Sequence, residues 1–221
     1  MRSPRSGTCT TADLVVEARG DVSERLAAVP GVTAVSTELD VPVALTTGSG
    51  GMAFTELNRA LLVRPQAYAR LHPDSGSLPG LGERAVAAGP GAVGVSAGDS
   101  LGVRVGADDL GRLPVAAGVP RRMDGGTAVL IPARLLLAAT LAQAASRSFV
   151  AVRPGADPAT VEAELSRVGS VSTVAQWAAR DAGTRASANA GTLTAVMGLG
   201  GLFASLGLVN TVVMAVSETW P

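Results

Sequence analysis

The sequence predicts an α+β domain followed by a C-terminal transmembrane helix. Three observations carry this: two strand–helix–strand stretches lie at opposite ends of the chain, a Gly- and Val-rich alternating segment lies between them, and an uncharged apolar run closes it. No charged residue occurs over 186–217, and Thr192–Val216 is almost wholly apolar or small. A hydrocarbon core of about 30 Å needs roughly 20 apolar residues in helical form. The run supplies them and leaves no polar face on a helical wheel, whereas a buried helix of that kind needs a larger soluble domain around it.

The first strand–helix–strand unit is Leu14–Ala18, then Asp21–Val29, then Gly31–Ser36. Asp21 stands three residues before Glu24, the spacing of a capping box, and Val22, Leu26 and Val29 recur at helical intervals. The second unit is Phe149–Val152, then Asp157–Val168, then Gly169–Val174. Asp157 is the expected N-cap, Pro158 fits the first helical position, and Gly169 marks the stop. Paired, the two units form one sheet-and-helix layer.

A β-rich insert, about 40–131, separates them. Expected strands are Val41–Leu45, Leu61–Val63, Arg84–Ala88, Leu101–Val105, Leu113–Val119 and Ala128–Ile131. Pro65–Leu71 suits one or two helical turns, and Pro132 opens a helix expected over Ala133–Ala145. Val174–Ala190 reads as a helix leading into the span. The organisation is therefore a disordered N-terminus (1–11), an extramembrane α+β domain (12–175), a pre-membrane helix (176–191) and a transmembrane helix (192–217).

Composition excludes several functions. The net charge is +0 and the arginines (Arg2, Arg25, Arg59, Arg84, Arg112, Arg153 among them) are scattered, so no nucleic-acid partner is expected. All 18 basic residues are Arg, which a GC-rich coding bias explains more simply than phosphate binding. The single cysteine, Cys9, rules out an intrachain disulfide, and Met1–Thr8 lacks the apolar run that lipidation at Cys9 requires. One His and one Cys make no metal site.

The remaining motifs are weak. Gly94-Val95-Ser96-Ala97-Gly98 has the pattern of a nucleophile elbow, which needs a strand-to-helix turn and a later histidine. The only histidine, His72, precedes Ser96, and an alternating strand follows it; His72 itself, beside Pro73 and Asp74, is expected to be a solvated loop residue. The glycines of 76–98 lack the Lys of a phosphate loop. Glu162/Glu164 and Asp108/Asp109 are expected to be solvated charges rather than an acid–base pair. No catalytic residue and no cofactor are expected. Within the span, Gly200/Ala204 and Gly201/Ser205 have the spacing that lets a second helix approach closely. Asn210 is a polar group expected to face a partner helix rather than lipid.

The ordered features resemble a known family. Leu206–Glu218, with its Asn210-Thr211 pair, Met214 and terminal Glu218, resembles the second transmembrane helix of FtsX-like (MacB-type) ABC-transporter permeases. Val29-Pro30-Gly31-Val32 resembles the start of that family's extracytoplasmic domain, and Ala97–Val103 its Gly-Asp turn before a strand. The resemblance covers about residues 12–218. It implies a non-enzymatic permease subunit that dimerises, contacts membrane lipid, and couples a cytoplasmic ATP-binding subunit to movement of the extracytoplasmic domain. It also implies a chain truncated at both ends, since the family has a helix before this domain and further spans after Glu218. A stand-alone membrane-anchored binding module is the alternative, and an esterase built on Ser96 a third reading. Arg180 and Arg185 before the span, by the positive-inside rule, point to a cytoplasmic domain; the family's first helix would override them.

Overall fold

The computed structural model describes residues 10–48, 50–73, 78, 81–82, 84–89, 91–92, 94–118, 127–184, 197 and 199. Among these residues nine strands, β1 (Leu14–Arg19), β2 (Val32–Thr47), β3 (Phe54–Val63), β4 (Val86–Ala88), β5 (Ser100–Val105), β6 (Asp108–Gly118), β7 (Val129–Pro132), β8 (Ala145–Val152) and β9 (Ser170–Thr173), join in one sheet. The helices that lie wholly within these residues are α1 (Ser23–Ala27), α2 (Pro65–Leu71), α3 (Ala138–Gln143) and α4 (Pro158–Ser166).

The two strand–helix–strand units form a single layer. Its order is β2-β8-β1-β9, with antiparallel pairing throughout, the split arrangement of ferredoxin-like folds. Leu26 of α1 and Val161 and Leu165 of α4 pack on Val16 and Val150, all buried. Alternation along each strand puts these apolar side chains on the helix-facing side. Asp157 caps α4, accepting from the Ala159 and Thr160 amides at 3.3 and 3.1 Å. Gly169 follows α4 because a Cβ there would fall 2.4 Å from the Glu17 carbonyl oxygen, so only glycine lets the chain pass β1.

The insert closes on itself. In the order β2-β3-β7-β4-β6-β5, with β5 pairing back to β2, six strands make a barrel. Leu39, Val41, Val43 and Leu45 alternate inward with Leu62, Leu101, Val103, Leu113, Val115 and Ile131 to fill it. On the outside, α2 lays Tyr68 against Leu61, Val63, Ala87 and Leu130. The long strand β2 belongs to both halves: its start pairs with β8 and its end with β5.

Several expectations are corrected. The strands expected at Gly31–Ser36 and Val41–Leu45 belong to one continuous strand from Val32, because the residues between them, Thr37–Asp40, pair with β8 on one side and, from Glu38, with β3 on the other. The capping box at Asp21 does not form; Val22 is the N-cap and Asp21 accepts from the Ser23 amide instead. The helix expected over Ala133–Ala145 is broken into a 3-10 turn (Ala133–Leu135) and α3. The carboxylate of Asp108 on β6 accepts from the Leu137 amide at 3.3 Å and the Thr140 hydroxyl at 2.7 Å, and buried Leu136 is extended between the two pieces. A tertiary tie thus overrides an alanine-rich propensity. Helical backbone runs over 174–184. The expected span, 192–217, lies outside the described residues apart from 197 and 199; among the described residues no helix is long and apolar enough to cross a membrane.

Candidate functional site

The β2–β3 hairpin is the element that the rest of the domain holds most deliberately. At its base Glu38 is almost fully buried between two strands, opposite Val63 on β3 and Arg147 on β8. Arg147 Nη2 lies 2.7 Å from Glu38 Oε2, and His72 Nε2, at the end of α2, lies 3.0 Å from Oε1. Burial works against the charge on Glu38, but the Arg147 guanidinium and the contact from His72 outweigh it and hold the carboxyl below its ordinary range. Aromatic packing completes the cluster: the His72 ring lies 4.5 Å from Tyr68 and 4.8 Å, edge-on, from Phe149, while the Arg147 guanidinium sits 5.5 Å above Phe149.

The cluster also pins the chain's first described residues. The Thr11 amide and the Thr10 hydroxyl both donate to the Leu71 carbonyl, at 2.9 and 2.8 Å, one residue before His72. One ion-paired knot therefore joins the N-terminal strap, α2, the layer and the barrel.

Toward its tip the hairpin is braced separately. Arg112 on β6 donates to the Gly48 and Ser100 carbonyls, each at 2.9 Å, and the Thr46 and Thr55 hydroxyls meet at 2.8 Å. Gly48 has φ +72°, and a Cβ there would stand 2.5 Å from the Met52 carbonyl oxygen. Beyond this brace Met52 and Phe54 are exposed at 88% and 61%, Leu57 on β3 opposite Ala44 is exposed at 85%, and no charge occurs between Val41 and Thr55. Apolar side chains displayed on a rigid hairpin are suited to seating against another surface.

Among the described residues none assembles an acyl-transfer site. Ser96 is exposed in a loop, its amide donating to Asp99 at 2.7 Å, and strand β5 rather than a helix follows. His72 is not the solvated residue expected from Pro73 and Asp74; it is 5% exposed and committed to Glu38. Asp108 is a structural tie and Asp109 lies near Arg104 (3.8 Å). Glu164 pairs with Arg167. Gly200, Gly201, Ala204, Ser205 and Asn210 lie outside the described residues. Sequence reasoning missed the Glu38 cluster; its one signal was a pair of charges, Glu38 and Asp40, in the middle of a strand-forming run.

No protein-family model matches the chain, and no curated protein does. Solved structures do share its fold. The domain is similar to the periplasmic region of MacB from Actinobacillus actinomycetemcomitans, with a TM-score of 0.51 and 11% identity over 75% of this chain and 90% of that one. It is also similar to the extracellular domain of the noncanonic ABC-type transporter YknZ from Gram-positive bacteria, with a TM-score of 0.50 and 12% identity over 74% of this chain and 100% of that one. The class is thus an α+β domain of layer and barrel. Its fold is that of MacB-type extracytoplasmic domains, as the sequence resemblance led us to expect.

Proposed function

We propose that the chain serves as a permease subunit of an ABC transporter, in which a cytoplasmic ATP-binding subunit drives movement of this extracytoplasmic domain for export or mechanotransmission. The observation that carries the reading is the shared architecture, a split layer threaded into a barrel by one long strand, which extends over nearly all of the MacB region and the whole of the YknZ domain. The knot at Glu38 favours it as well, since a part that transmits displacement must move as one piece.

In this reading 176–191 lead out of the domain and 192–217 cross the membrane against lipid. Gly200, Gly201, Ala204 and Ser205 admit a second helix, and Asn210 bonds within that contact. The subunit acts as a dimer, uses no cofactor and performs no covalent chemistry.

The test is purification of the tagged full chain from native membranes together with a differently tagged second copy. An ATP-binding subunit and the second copy are expected to accompany it, and Gly200→Leu with Gly201→Leu is expected to reduce recovery of that copy. Absence of any ATP-binding subunit, with and without ATP, overturns the proposal.

A further inference from the structure

Where β3 and β7 end side by side the surface dips into a groove of about 550 Å³. The two strands are parallel, with Val63 opposite Pro132, so their carboxyl ends open together. α2 leaves from one end and the 3-10 turn from the other. The walls are apolar, built from Val63, Pro65, Pro132, Ala133, Leu136 and Leu141.

The rim decides what the groove can hold. It carries Asp21, Arg64 and Arg134. Arg64 Nη2 lies 2.8 Å from Asp21 Oδ2, and the other oxygen of Asp21 accepts from Ser23, so these two charges satisfy each other. Arg134 is exposed and has no hydrogen bond or ion pair among the described residues. Among the described residues the groove is left with one uncompensated positive charge beside an apolar trough.

We infer that this groove binds a small amphiphile, a single apolar chain ending in one carboxylate, with the chain along the trough and the carboxylate on the Arg134 guanidinium. The volume falls within the range of about 300–1,000 Å³ typical of small-molecule sites, which are mostly apolar with few polar groups. A planar guanidinium takes a carboxylate through two parallel hydrogen bonds. A cationic head would meet Arg134 as a like charge, and a neutral head would leave it unused. The inference rests on the groove's own chemistry and is independent of the transporter reading.

The experiment is photo-cross-linking of the full chain in amphipol with a diazirine-bearing decanoate, with adducts mapped by mass spectrometry. Adducts are expected on the segments around Pro65 and Pro132–Leu141, competed by unlabelled decanoate and not by its methyl ester. Arg134→Gln is expected to lower them about tenfold, the loss typical of one charge-assisted contact, while Arg153→Gln, a matched loss elsewhere on the surface, leaves them unchanged. Ala138→Phe, which narrows the groove from its exposed side, is expected to lower them too. Adducts spread over the chain, equal competition by the methyl ester, or an Arg134→Gln protein labelled like the parent overturns the inference.

Discussion

Glu38 and Arg147 face each other across the β2–β8 ladder, Oε2 and Nη2 2.7 Å apart, at the point where β2 passes from the layer into the barrel. The side chain of Arg147 keeps 22% exposure and that of Glu38 only 1%. That asymmetry makes the two partners unequal in what their loss costs.

Arg147→Met leaves a buried carboxylate with His72 as its remaining partner, and is expected to destabilise the domain by about 3 kcal/mol. Glu38→Gln leaves Arg147 able to reach water and is expected to cost less. Urea midpoints of the two variants should fall in that order; equal midpoints would show that the knot does not hold the base of the hairpin.

The pH dependence follows from the same group. Glu38 titrates lower in the folded chain than unfolded, with burial opposing and the Arg147 charge dominating the outcome. Its stabilising contribution is therefore complete above the unfolded carboxyl's range and is lost as pH falls through the folded value. Asp21 acts in the same sense: burial opposes, and Ser23 and Arg64 lower it. Between about pH 7 and about pH 3 the parent should lose stability more steeply than Glu38→Gln. Parallel curves for the two proteins would refute this.

Gly48→Ala meets two obstacles, a left-handed backbone and a carbonyl oxygen 2.5 Å from the new Cβ. Gly106→Ala, with φ +57° and open space around it, meets only the first, about 1–2 kcal/mol. Gly48→Ala is expected to cost more, with the excess appearing as faster amide exchange in the hairpin. Equal losses in thermal unfolding would remove the close contact from the account.

Arg112→Met removes two carbonyl contacts from an exposed side chain. A loss of about 1 kcal/mol is expected, with the tip exchanging faster and the Glu38 knot unaffected. Uniformly faster exchange across all strands would mean that the tip and base do not act separately.

The layer was legible because its signals are local. Asp157-Pro158 and the spacing of Val161, Leu165 and Val168 specify α4 without outside help. The Gly98-Asp99 turn is likewise local: it leads directly into β5 at Ser100, with the Asp99 amide bonded to the Ser96 carbonyl at 3.1 Å and the Ser96 amide to the Asp99 carboxylate at 2.7 Å. The barrel was not legible as a barrel, since its closure depends on β3 meeting both β2 and β7. His72 was misread because the Pro73-Asp74 turn signal describes the next residues, while its burial is decided by Glu38 and Phe149 from distant strands. The break after Leu135 was hidden for the same reason, its cause being Asp108 on β6.

The most direct test of an extracytoplasmic domain is labelling from outside the cell. With Cys9→Ser removing the one native cysteine, Leu57→Cys places a thiol at an exposed position on β3 of the hairpin. Intact cells carrying the full chain are treated with a membrane-impermeant maleimide and compared with lysed cells. The account predicts equal labelling in both; labelling only after lysis would put the domain in the cytoplasm and contradict it.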